Sequence, residues 1–232
     1  MSTLTAKPIS IQVKPTSSLY MISVLGAISA LCGLVIVVSY QMTASAIRQN
    51  LATITSEAVA EIVPQAKKQV IFAVDPATGD LTKLSGLEGD LPKIFAAYDD
   101  GGQLVAVACE AAGRGYGDVI KVLYAYSPDQ QAITGFKVLD LKETPGLGDK
   151  IVADPDFLAN FKELDVTLGA GKQKLEHDIV AVKHGEKAQK WEIDGISGAT
   201  ISSKAVARLL NQGAAQMVPV IMKNLDRLRK GE

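Results

Sequence analysis

Asp194-Gly195-Ile196-Ser197-Gly198-Ala199-Thr200-Ile201-Ser202-Ser203 is the stretch from which the organisation of this chain is best read. A short β-branched run at 190–193 precedes it, and apolar residues at helical spacing follow over 202–217, so it joins a strand to a helix. Four hydroxyl side chains and two glycines occupy the junction. Small residues there let the backbone come close to a ligand. The first N–H groups of the helix lack internal partners, and the helix dipole favours an anion beside them. A phosphate is the natural guest, with Ser202 and Ser203 as further donors.

Other readings of the same junction compete. A plain N-cap would by itself explain Thr200 or Ser202. A P-loop is excluded, because Gly-Lys-Ser/Thr does not follow Gly198 at the required distance. Gly195-Ile196-Ser197-Gly198-Ala199 misses the Gly-x-Ser-x-Gly elbow of hydrolases by one residue, and His177 and His184 both precede the serine, against the order of that triad. On the residues alone, phosphate binding and a plain cap stand level.

Upstream, short β-branched runs alternate with turn residues. Strands are predicted at 69–74, 93–98, 103–110, 119–126 and 132–141, divided by Asp75-Pro76, Asp100-Gly101-Gly102, a glycine-rich segment and Ser127-Pro128-Asp129. Links of hairpin length favour antiparallel pairing. A short helix follows Pro155 as far as Phe161, and 179–182 is a further strand. The class is α+β, a mostly antiparallel sheet with flanking helices, preceded by one N-terminal transmembrane helix.

That first helix is predicted from residues 19–40, which carry no charge and are mainly Leu, Ile, Val, Ala and Met. About 20 apolar residues cross roughly 30 Å of hydrocarbon. Tyr20 and Tyr40 sit at its two edges, where amphipathic rings are favoured. Gly26, Gly33, Ser23 and Ser29 would let a neighbouring helix approach closely. Ala44-Ser45-Ala46 resembles a signal-peptide cleavage site, but the apolar run is too long for a signal core of about 7–15 residues. Lys7 and Lys14, with no acid in 1–18, place that tail in the cytoplasm and the rest outside. Residues 41–67 form a linking amphipathic helix, with Ile47, Leu51, Ile54, Ala58 and Ile62 at helical spacing and Pro64 as its end. Residues 68–232 are then the soluble domain.

Composition narrows the classes. Lys and Arg number 24 against 25 Asp and Glu, which gives no electrostatic basis for nucleic-acid binding. Two cysteines, Cys32 in the apolar run and Cys109 in a predicted strand, make no disulfide framework. His177 and His184 lack companions at metal-ligand spacing, so no metal site is expected. Trp191 is read as a core anchor, and the basic tail 223–230 as a solvated helix face or a dock for a neighbour.

Ser197-Gly198-Ala199-Thr200-Ile201-Ser202-Ser203 resembles the flavinylation motif of the FMN-binding domain shared by the G subunit of Rnf complexes and the C subunit of the sodium-pumping NADH:quinone reductase. Asp194 matches the acidic position of that motif. Lys142-Glu143-Thr144-Pro145-Gly146-Leu147-Gly148-Asp149-Lys150 resembles the family loop that lies against the flavin, and Gly113-Arg114-Gly115-Tyr116-Gly117 a further family segment. The three occur in the family's order, and the details look more like Rnf.

The resemblance implies an FMN joined through its phosphate to Thr200 by a flavin transferase. Ser197, Gly198, Ala199, Ser202 and Ser203 would surround the ester, and Asp194 would order the backbone or be recognised by the transferase. Glu143 and Thr144 would hydrogen-bond the ring or ribityl chain, with Pro145-Gly146 turning the loop and Leu147 and Tyr116 covering the ring. The flavin supplies the redox chemistry and no side chain is catalytic. The function implied is electron relay in a Rnf-type ferredoxin:NAD oxidoreductase of the bacterial inner membrane. The chain would be a single-pass member among membrane and redox partners in lipid, with its domain on the outer face. The C subunit of the sodium-pumping reductase and a tethered flavin sensor are the alternatives.

Overall fold

The computed structural model describes residues 17–86 and 91–231. The tail with Lys7 and Lys14 lies outside the described residues apart from its last two positions, 17 and 18. The chain divides into two units, 1–50 and 51–232. Helix α1 (Ser18–Ile62) is uninterrupted, so the helical stretches predicted for 19–40 and 43–63 are one element. In the first unit, Ser18–Ala44 is a 27-residue apolar run with its side chains exposed, long enough at about 1.5 Å per residue to cross a bilayer.

The second unit is built on an antiparallel sheet in the order β2-β1-β3-β4-β5-β6-β7. Its strands are β1 (Lys68–Val74), β2 (Leu81–Leu84), β3 (Lys93–Tyr98), β4 (Leu104–Arg114), β5 (Val119–Ser127), β6 (Ala132–Asp140) and β7 (Leu164–Asp165). The centre of the sheet is buried on both faces. Along β5, Ile120, Val122, Tyr124 and Tyr126 join one core, and Leu123 and Ala125 the other.

The last turns of α1 cover the second face. Thr55, Ala58, Val59 and Val63 are buried, the side chains in the core among them meeting Phe95, Ala97, Ala106 and Ala108. Of the predicted stripe, Ala58 is buried and Ile62 packs against this core. Ile47 and Ile54 are about half exposed, and at Ile54 the buried face of the helix passes instead through the adjacent Thr55. Helix α2 (Pro155–Ala159) begins with Pro155 behind Asp154, whose carboxylate accepts from Phe157 N at 2.9 Å.

Helix α3 (Thr200–Lys223) covers the first face with Val206, Leu209, Leu210, Ala214, Val218 and Ile221. It lies close to β4 because a glycine on each element faces the other element's side chains. A methyl added at Gly113 would stand 2.9 Å from Leu209 Cβ, and one at Gly213 would stand 3.0 Å from Ala111 Cβ. Helix α4 (Leu225–Lys230) turns the basic tail back onto the sheet. Leu228 is buried and its carbonyl accepts from Tyr98 Oη at 2.5 Å, while Arg229 pairs with Asp129 at 2.8 Å. Outside the sheet, β8 (Val180–Val182) and β9 (Glu192–Asp194) form a parallel pair.

Candidate functional site

Strand β9 delivers the chain to the junction at Asp194, and β8 holds the next residue through Gly195 N to Val182 O at 3.1 Å. A side chain at Gly195 would strike that carbonyl, its Cβ falling 2.7 Å away. The loop then turns at Gly198, whose φ of +83° lies in the left-handed region open to glycine. Ser203 fastens the loop to the helix, its buried Oγ accepting from Ile196 N and donating to Ala199 O, both at 3.0 Å.

The plain-cap reading is corrected by this geometry. Ala199 is the N-cap, with no side-chain cap hydrogen bond, and Thr200 is the first helical residue. The N–H groups of 200–202 precede the first intrahelical bond, from Ser203 N to Ala199 O, and stay available to a guest. Thr200 itself is exposed and, among the described residues, its hydroxyl has no hydrogen-bond partner. Ser202 and Ser203, read from sequence as phosphate donors, both have protein partners: the Ser202 hydroxyl donates to Glu143 Oε2 at 3.0 Å.

All three segments singled out in the sequence meet here. Glu143 Oε1 accepts from Tyr116 N at 2.7 Å and from Gly117 N at 3.2 Å. The loop after it closes on itself, with Leu147 N and Gly148 N both donating to Thr144 O, and Gly146 at φ +77° makes the turn. A cleft of about 530 Å³ results, lined by Tyr116, Glu143, Thr144, Leu147, Gly148 and residues 198–202. That is within the roughly 300–1,000 Å³ usual for small-molecule sites. Tyr116, Leu147 and Ile201 give it exposed apolar walls. Thr200 also borders a second cleft of about 330 Å³, where Lys183, His184 and Lys204 stand.

Asp194 orders backbone. Its Oδ1 accepts from Gly185 N at 2.7 Å, and His184 Nδ1 lies 3.5 Å from its Oδ2. Asn160, which the sequence did not single out, is buried against the same residue and grips its main chain. Lys187 Nζ donates to Asn160 Oδ1 at 2.9 Å, and burial holds this ammonium below the usual lysine range. An asparagine behind a helix start carries no periodic signal, so only the fold shows its role.

Other residues lie elsewhere. Trp191, predicted to anchor the core, is only half-buried, with its ring stacked on His177 at 3.7 Å between centroids, because it stands in the turn before β9. Cys109 is fully buried in β4, which pushes its thiol up to about 12 and leaves it unreactive. The site is thus an exposed hydroxyl at an open helix N-terminus beside an apolar-walled cleft. The first suits a phosphate and the second a planar ring.

Residues 115–215 match the FMN-binding domain family. The chain is 31% identical over 184 residues to the G subunit of the ion-translocating oxidoreductase complex of Methanosarcina acetivorans, covering 79% of this chain and 86% of that protein. It is 30% identical over 155 residues to the G subunit of the proton-translocating ferredoxin:NAD(+) oxidoreductase complex of Clostridium ljungdahlii, with 66% and 75% covered. Among solved structures it is similar to the C subunit of the Na(+)-translocating NADH-quinone reductase of Parabacteroides distasonis, with a TM-score of 0.55, 25% identity, and 75% of this chain and 89% of that one covered. The chain belongs to the family of G subunits of ion-translocating oxidoreductase complexes.

Proposed function

We propose that this chain relays electrons within a membrane-bound, ion-translocating oxidoreductase complex of the Rnf type, acting between ferredoxin and NAD, through one FMN esterified to Thr200. The observation that carries the reading is the placement of Thr200: first in α3, exposed, without a capping side chain behind it, and on the rim of a cleft walled by Tyr116, Leu147 and Ile201. Membership of the G-subunit family supports the complex, and the Clostridium ljungdahlii relative supports the ferredoxin and NAD couple.

The bound FMN would supply transfer of one or two electrons. The chain's own residues do the rest. The N–H groups opening α3 hold the ester phosphate, and the helix dipole stabilises its charge. Ala199 and Gly198 leave room beside it, and Ser197 is exposed at the turn. Leu147, Tyr116 and Ile201 offer apolar surface to the ring, and Thr144 lies on the same wall for its polar edge. Among the described residues the Thr200 hydroxyl has no hydrogen-bond partner, and a separate flavin transferase would form the ester. A permanent bond keeps the cofactor from being lost on the outer face.

In this reading residues 1–18 are a cytoplasmic tail, 19–40 span the bacterial inner membrane, 41–67 link, and 68–232 bind FMN outside it. Tethering holds the domain near its redox partners and raises the rate of encounter. The direct test is a denaturing gel of the chain co-produced with a flavin transferase and viewed under ultraviolet light. A fluorescent band is expected, lost in Thr200→Ala and kept in Ser197→Ala. In the purified complex, reduction of that flavin by the electron donor at the turnover rate supports relay, and a flavin that stays oxidised refutes it in favour of a sensor.

A further inference from the structure

Glu143 is more than a lining residue of the cleft. Its carboxylate joins two other segments to its own loop: Oε1 takes the N–H groups of Tyr116 and Gly117 at 2.7 and 3.2 Å, and Oε2 takes the Ser202 hydroxyl at 3.0 Å. These three partners are uncharged, and both oxygens are engaged by the protein. Glycines enclose the contact on each side. A methyl on Gly148 would stand 2.6 Å from Glu143 Oε2 and 2.8 Å from Ser202 Oγ. One on Gly115 would strike Glu143 Oε1, and one on Gly117 would strike the Lys142 carbonyl. The backbone is packed around this carboxylate as closely as glycine permits.

We propose that Glu143 is a positioning residue, a latch that makes the turn at 115–118, the loop at 144–150 and the first turn of α3 a single unit. The inference rests on the reading of this cleft as the flavin site. Tyr116 and Leu147 stand on two of the latched segments and Thr200 opens the third. The latch thus fixes the distance between the apolar walls and the ester anchor. It works through reach and hydrogen-bond direction, and its charge is incidental. A glutamine reproduces it, because the amide oxygen accepts from the two N–H groups and the amide nitrogen donates to Ser202 Oγ. An aspartate keeps the charge and loses the reach.

The test is hydrogen exchange followed by mass spectrometry on the full chain in detergent, made without a flavin transferase. Glu143→Ala and Glu143→Asp are expected to speed exchange over 115–118, 144–150 and the first bonded N–H groups of α3 from Ser203 onward together, by about tenfold or more, as loss of the hydrogen bonds that join the three segments allows. Glu143→Gln is expected to leave all three as in the unaltered chain. The latch is overturned if only 144–150 responds, if the aspartate serves as well as the glutamate, or if the glutamine is as disruptive as alanine. In chain carrying the flavin, iodide should quench its fluorescence more strongly in Glu143→Ala and equally in Glu143→Gln. If Thr200 carries no flavin, the proposed electron relay fails while the exchange result stands. If exchange in the three segments is uncoordinated, the latch fails whatever Thr200 carries.

Discussion

Asn160 holds the main chain of Asp194 from both sides, its Nδ2 donating to the Asp194 carbonyl at 3.1 Å and its Oδ1 accepting from the Asp194 N–H at 2.9 Å. The grip fixes the strand end from which the Thr200 loop departs. Removing it leaves two main-chain groups and Lys187 without this partner, at a cost of about 1–3 kcal/mol. Asn160→Ala is therefore expected to lower the melting temperature of the full chain and to reduce the fraction loaded with flavin. Unchanged melting would show that water replaces the side chain.

Glu192 ties the turn ahead of β9, its Oε2 accepting from Ala188 N and Gln189 N at 2.7 and 2.9 Å. Those two N–H groups hold its carboxyl below the ordinary glutamate range. With the folded value depressed, the stabilisation is complete above the unfolded value of about 4.3 and is lost as pH falls through the lower folded one. Urea midpoints measured between about pH 3 and 6 should thus fall less steeply with acid in Glu192→Gln than in the unaltered chain.

Gly113 and Leu209 set how closely α3 lies on β4. Gly113→Ala places a methyl 2.9 Å from Leu209 Cβ and forces the helix outward. Overpacking of this kind costs about 1–3 kcal/mol. Gly171→Ala, where an added methyl meets nothing within 4 Å, is the control and should change stability by less than about 0.5 kcal/mol. Thermal melting of the two variants side by side decides it.

The central strands were legible because their apolar runs are long and bounded by turn residues; β3 falls at 93–98 as read. Strands β2 and β7 escaped notice, being four and two residues long, too short for alternation to register. Helix α3 runs beyond the predicted 202–217 at both ends and passes through Pro219, since packing of Val218 and Ile221 outweighs the local signal. At the site, the resemblance named the three segments that the fold brings together. It did not show that Glu143 turns inward to Tyr116, Gly117 and Ser202, or that Asn160 grips Asp194. Such contacts span 27, 59 and 34 residues of chain, and no local pattern encodes them.

The intact mass of the full chain, co-produced with a flavin transferase and denatured before measurement, tests the account most directly. It should exceed the sequence mass by one FMN less one water, and Thr200→Ala should return it to the sequence mass. A chain that weighs only its amino acids, or a Thr200→Ala variant that keeps the added mass, would contradict the account.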